Sequence, residues 1–136
     1  MLQALQALIG IHGDSTEEIR LLFGNKLSED ILCRDLLEAW AARDDRFTVT
    51  HVLSEEAEEE AEEEAEEGAR GIRMERGFID REMIRQHLFA TPDDDTILFL
   101  CGPPPMYDAL CGPRGEPEVG GVLARMGFGE SHVYKF

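Results

Sequence analysis

The residue types with the most chemical reach are packed into one hexapeptide, Cys101-Gly102-Pro103-Pro104-Pro105-Met106, which closes the apolar run 96–100. Gly102 has no Cβ, so a flat ring or a phosphate can approach its backbone closely. Three successive prolines hold φ near about −65° and leave few conformations to freeze when a ligand binds. A helix opening at about Met106 would aim unpaired N–H groups at whatever lies above the strand. Cys101 stands at the rim, where a small polarisable side chain can touch a reacting ring without filling its space. A generic Cys-Gly-Pro is more often a turn beside a packed cysteine. The full hexapeptide after an apolar strand argues instead for a preorganised ligand lip.

Other chemistry-bearing residues are sparse. His12, His51, His87 and His132 are scattered, without i,i+4 pairing or a nearby cysteine partner, so no metal site is expected. Asp93, Asp94 and Asp95 follow Pro92 and read as a solvated turn. Neither a nucleophile elbow nor a phosphate-binding P-loop is present.

The elements that must position the lip follow from periodicity. Residues 1–9 are apolar at 1, 2, 4, 5, 8 and 9, a helical period, which Gly10 and Gly13 stop. The run 19–25, "IRLLFGN", reads as a buried strand ended by glycine. A helix over 28–45 follows, with Ser28 as N-cap and a stripe at Ile31, Leu32, Leu36, Ala39 and Trp40 widened by Leu37. Residues 46–54 alternate Phe47, Val49, His51 and Leu53 against Val52, as a strand does. Residues 77–89 predict a turn and a helix capped by Asp80, with Met83, Ile84, His87 and Leu88 inward. A strand at 96–102, short helices at 106–112 and 116–128, and a last strand at 132–136 complete the chain.

Strands alternating with helices predict helices packed on a mainly parallel sheet. Ligands of such sheets sit outside the carboxyl ends of the strands. The punctuated stretches fall at those ends: "GNK" at 24–26, "SEE" at 54–56 and "CGPPPM" at 101–106.

The bulk properties narrow the classes. The chain of 136 residues is 43% hydrophobic and 7% aromatic, as expected of a globular domain. Its formal charge of −16 is concentrated in 55–67, "EEAEEEAEEEAEE"; removing those ten glutamates leaves −6. That insertion reads as a solvated, partly helical or disordered loop, because like charges at i,i+4 oppose the helix that Glu and Ala otherwise favour. No basic stripe is present, which argues against nucleic-acid binding. No apolar run approaches the ~18 residues of a membrane helix. Three widely spaced cysteines, Cys33, Cys101 and Cys111, point to reduced thiols and a cytoplasmic setting.

The segments "LFLCGPPPMYDAL", "LLFGNKLSEDILCRDLLEAWA", "GFIDREMIRQHL" and "VYKF", in this order, resemble the NAD(P)-binding half of the cytochrome b5 reductase family. That family includes the reductase end of nitrate reductase, within the wider ferredoxin-reductase-like flavoproteins. The resemblance covers nearly the whole chain except 55–76. It implies a Rossmann-like parallel sheet flanked by helices, and an enzyme that passes hydride from NADH or NADPH to FAD. Electrons would then go singly to a haem protein such as cytochrome b5, with the cofactors carrying the reaction.

Carried onto this sequence, the resemblance places Cys101, as catalytic residue, and Gly102 beside the nicotinamide, with Pro103, Pro104, Pro105 and Met106 shaping that wall. Asn25 and Lys26 match a position that meets the dinucleotide. Ser54 matches the place where many NADH-preferring relatives carry an acid for the adenosine ribose. A hydroxyl there tolerates a 2′-phosphate, whereas Glu55 and Glu56 would repel one, leaving a weak preference for NADH. Phe136 matches an aromatic terminus near the flavin.

The departures carry their own expectation. Relatives lead into this half through a strand and a turn of the kind "GGTGxTPM", and Met1 matches the methionine that closes it. By resemblance, residues 1–136 are therefore one partial NAD(P)-binding domain lacking its first strand, with FAD on a flavin-binding domain missing from the chain. Such a chain would be poorly stable and inactive by itself; missing N-terminal sequence could also hold it to the cytosolic face of a membrane. A ferredoxin- or flavohaemoglobin-type reductase is the related alternative. A non-catalytic acidic interaction protein that keeps the fold is the unrelated one.

Overall fold

The computed structural model describes residues 1–10, 16–55 and 70–136. The expected helix stop at Gly13 and the loop reading of residues 56–67 lie outside the described residues. The described chain forms two compact units, one of Gln3–Ile79 and one of Met1–Leu2 with Asp80–Phe136.

In the first unit, α1 (Leu2–Gly10) is followed by β1 (Ile19–Asn25), a 3₁₀ turn (Ser28–Asp30), α2 (Arg34–Arg43), β2 (Phe47–Leu53) and β3 (Ile72–Arg76). The strands form a parallel sheet in the order β1-β2-β3. β2 lies in the middle, and every residue of it but Thr48 is buried, as expected of a parallel strand covered on both faces. The expected alternation of Phe47, Val49, His51 and Leu53 against Val52 therefore resolves into burial of both faces. Leu5, Ile19, Leu37, Ala41, Phe47 and Val49 form the core, with Leu8, Ile9, Leu21, Phe23, Trp40 and Ile72 packed against it.

The helix expected to start at Ser28 starts six residues later. Cys33 adopts φ +56°, the left-handed region that non-glycine residues rarely occupy, and breaks the run before Arg34. The stripe rotates accordingly: Leu37 and Ala41 are buried, while Leu32 and Leu36 are exposed. β3 was not expected; its "IRMER" pattern has only two apolar side chains and follows the glutamate run.

In the second unit, Asp80 caps α3 (Arg81–His87) by accepting the Met83 N–H at 2.9 Å, as expected. Ile84 and His87 are buried, with Met83 and Leu88 half-buried. β4 (Leu98–Leu100) pairs in parallel with β5 (Val133–Lys135). Between them lie α4 (Pro104–Leu110) and α5 (Gly121–Arg125). β4 is shorter than expected because Thr96 is turned back to Asp93, its N–H bonding the Asp93 carbonyl at 3.1 Å. The helix expected over 116–128 shrinks to five residues around a glycine-dependent start. Gly121 has φ +57°, and a Cβ there would collide with the Ala109 and Leu110 backbone. Among the described residues, no helix is long and apolar enough to cross a membrane.

Candidate functional site

Site residues predicted from the sequence fall into two sets, one in each unit. The first is built on the flush carboxyl ends of three strands, since Asn25 is in register with Leu53 and Leu53 with Arg76. Beyond those ends the chain is tied across. The Ser54 N–H donates to the Asn25 carbonyl at 3.1 Å, and the Glu55 N–H donates to the Lys26 carbonyl at 2.9 Å. The Ser54 hydroxyl also faces the Asn25 carbonyl, at 3.4 Å, which leaves its lone pairs as acceptors. Asn25, Lys26 and Ser54 are thus brought together.

Lys26 Nζ lies 2.8 Å from a Glu55 carboxylate oxygen. The hydrogen bond and the charge of Glu55 hold the lysine above its ordinary pKa. Both side chains are exposed, so the pair sets the local charge more than it stabilises the fold.

Phe78 completes this end and was missed in the sequence. The Gly77 N–H donates to the Leu53 carbonyl at 2.8 Å, and φ +104° at Gly77 turns the chain over the end of β3. Phe78 follows with 78% of its surface exposed. The available signal was a phenylalanine between a turn glycine and a helix cap, a place where the core does not call for a large ring.

The second set surrounds the end of β4. Cys101 to Pro105 are exposed and Met106 is half-buried. The lip is therefore exposed and is not packed shut inside the core. One expectation is overturned. α4 begins at Pro104, and prolines 103 to 105 have no N–H to offer. The Met106 N–H is turned back onto the Pro103 carbonyl at 3.0 Å. The lip acts as a stiff wall, with no anion-binding helix terminus.

Gly102 is also covered differently than expected. A Cβ there would fall 2.5 Å from Met106 Sδ, so the thioether occupies the side that the missing Cβ leaves free. This is the far end of a flexible side chain, and a ring pressed onto Gly102 could displace it. Phe136 sits beside the lip: its N–H donates to the Leu100 carbonyl at 3.0 Å. Its ring lies 5.8 Å from Phe99 and 5.1 Å from Tyr134. Cys101 to Met106 and Phe136 are thus brought together in this unit. All three cysteines are free; Cys111 is buried, and burial pushes its thiol pKa up, whereas Cys101 and Cys33 are exposed.

The described histidines, cysteines and acids include no group of three able to hold a metal ion. An open depression of about 620 Å³ lies elsewhere, lined by Ser28, Glu29, Ile31, Cys33, Arg34, Asp35 and Leu36, and includes none of the predicted site residues.

Parallel strands whose carboxyl ends carry the polar and ring-bearing residues define an α/β nucleotide-binding domain of Rossmann-like type. The family model described as "Oxidoreductase NAD-binding domain" matches residues 1–112, and the chain belongs to that family. It is 31% identical over 142 residues to NADH-cytochrome b5 reductase 2 of Mycosarcoma maydis, covering 100% of this chain and 37% of that protein. It is 39% identical over 114 residues to NADH-cytochrome b5 reductase 1 of Aspergillus terreus, covering 81% and 34% respectively. Among solved structures, the cytochrome b5 reductase domain of Ulva prolifera nitrate reductase matches with a TM-score of 0.71 and 31% identity, covering 98% of this chain and 44% of that one. The chain spans less than half the length of these relatives.

Proposed function

We propose that this chain is the NADH-binding half of an FAD-dependent reductase that delivers electrons to a haem protein such as cytochrome b5. The observation that carries this reading is the open, proline-stiffened lip at the end of β4 with Phe136 fastened beside it. When bound, NADH supplies a hydride to the flavin, which releases its electrons singly to the acceptor. The protein's own part is placement. Prolines 103 to 105 fix the wall against which the nicotinamide rests, and Cys101 borders it with a small polarisable side chain. Met106 yields its place over Gly102, and Phe136 marks the side the flavin would take.

Asn25, Lys26 and Ser54 would receive the adenosine half, with the exposed Phe78 offering a face on which adenine can stack. NADH is favoured over NADPH because the Glu55 carboxylate adjoins Ser54 and already neutralises Lys26. We take residues 1–136 as one NAD(P)-binding domain interrupted by the acidic insertion at 55–67, with FAD on a separate flavin-binding domain. The free cysteines fit a reducing, cytoplasmic compartment or the cytosolic face of a membrane.

Calorimetry with NADH tests this reading. Saturable binding by the full 136-residue chain, abolished in Gly102→Trp, is expected. Absence of binding in the unaltered chain, or equal binding in the variant, would reject it. Electron transfer to cytochrome b5 is expected only after a flavin-binding domain is supplied; turnover by the chain alone would contradict the division of labour.

A further inference from the structure

Tyr107 follows the hexapeptide directly, yet unlike the exposed residues 101–105 it is buried, with 2% of its surface exposed. Its hydroxyl donates to a main-chain oxygen of Phe136 at 2.8 Å and stands 3.1 Å from the Leu100 carbonyl. The Leu100 carbonyl also accepts the Phe136 N–H at 3.0 Å. Three segments therefore meet at one phenolic oxygen: the end of β4 just before Cys101, the first turn of α4 and the residue after β5. A phenylalanine would fill the same volume and supply no proton, so packing alone does not account for the hydroxyl.

We propose that Tyr107 is a positioning residue for the nicotinamide site, acting through Phe136. It locks the aromatic ring of residue 136 in a fixed relation to the Cys101-Gly102 lip. This inference rests on the proposed NADH-binding reading. Its physical basis is preorganisation. A wall and an edge already held together lose little freedom when a flat ligand settles between them, and releasing one of them shifts that ordering cost onto binding. The rings of Tyr134 and Phe99 flank Phe136 and limit its rotation, but neither fixes its backbone. The Tyr107 hydroxyl holds that backbone from its carboxyl side, adding to the N–H bond that Phe136 makes to Leu100.

The test is a double-mutant cycle for NADH binding by the full chain, using Tyr107→Phe, Phe136→Leu and both together. Tyr107→Phe should weaken NADH by about five-fold, the range of one net hydrogen bond. Phe136→Leu should weaken it too, and the double variant should be no weaker than the poorer single one, because both remove the same constraint. Additive losses would overturn the proposal. A control, Leu123→Val, lowers stability in the same unit without touching the lip. If it weakens NADH as much as Tyr107→Phe does, Tyr107 is only structural and the proposal fails.

A second protein guards against a variant that does not fold. With 4-aminophenylalanine at position 107, the ring and a donor at its tip are kept. Its NADH affinity should return toward that of the unaltered chain; a loss as large as that of Tyr107→Phe would overturn the proposal. Failure of the unaltered chain to bind NADH would reject both this inference and the reading beneath it. Normal binding with no effect at Tyr107 rejects this inference alone.

Discussion

The ammonium of Lys26 lies 2.8 Å from the carboxylate of Glu55, so the cation that closes β1 is neutralised by the acid that follows Ser54. In the proposed NADH-binding reading, what this pair leaves over sets the cofactor choice. A 2′-phosphate brought to Ser54 meets the Glu55 charge before it meets a free cation. Glu55→Gln should therefore raise NADPH affinity relative to NADH by about five-fold, the scale of one exposed charge pair at contact distance in water. Parallel calorimetric titrations read the ratio, and the gain should shrink with added salt. An unchanged ratio would remove Glu55 from cofactor selection.

Two glycines that look alike in the sequence should behave oppositely. At Gly121 a Cβ would stand 2.8 and 2.9 Å from the Leu110 carbonyl carbon and oxygen, and φ is +57°. Backbone cannot swing aside, so Gly121→Ala should cost about 2 kcal/mol or more. At Gly102 the obstructing atoms are Sδ and Cε of Met106, which can rotate away, and φ is not in the left-handed region. Gly102→Ala should leave stability within about 0.5 kcal/mol. Urea melts followed by circular dichroism compare them, and a Gly102→Ala loss as large as that of Gly121→Ala would contradict the packing described.

Asp44 should make one contribution to acid sensitivity that can be isolated. Arg46 donates to both of its carboxylate oxygens, at 2.9 and 2.6 Å, and reaches the Thr16 carbonyl at 3.0 Å. The Arg46 side-chain hydrogen bond is the largest cause holding Asp44 below its ordinary pKa. Because the folded value is depressed, the contribution is complete above the ordinary aspartate value of 3.8 and is lost as pH falls through the folded value. Asp44→Asn should cost about 1–3 kcal/mol at neutral pH and less in strong acid. Melts from pH 7 down to pH 2 would show the two proteins converging; a constant gap would contradict the assignment.

Much of this molecule was legible in the sequence, and the exceptions have physical causes. The strand 47–53 and the Asp80 cap were readable because β-branched and capping residues act locally. The stiff turn after β4 was readable because prolines impose their geometry wherever they stand, although the helix beyond it opens at Pro104 and not at Met106. Cys33 was not, since a non-glycine residue in the left-handed region is imposed by surrounding structure. β3 was hidden because an outer strand with one half-buried face needs few apolar residues. Phe78 and Tyr107 were passed over for opposite reasons: one is a large ring left exposed, the other a ring next to the motif whose hydroxyl bonds to residue 136, 29 positions on.

The central claim is that residues 101–106 hold a nicotinamide ring, and nuclear Overhauser contacts from the bound cofactor test it most directly. With NADH added to the full chain, nicotinamide ring protons should show contacts to Gly102 Hα and Cys101 Hβ, and the Met106 methyl signal should move as its thioether is displaced. Contacts confined to the depression at Ser28–Leu36, with signals of 101–106 unmoved, would contradict it.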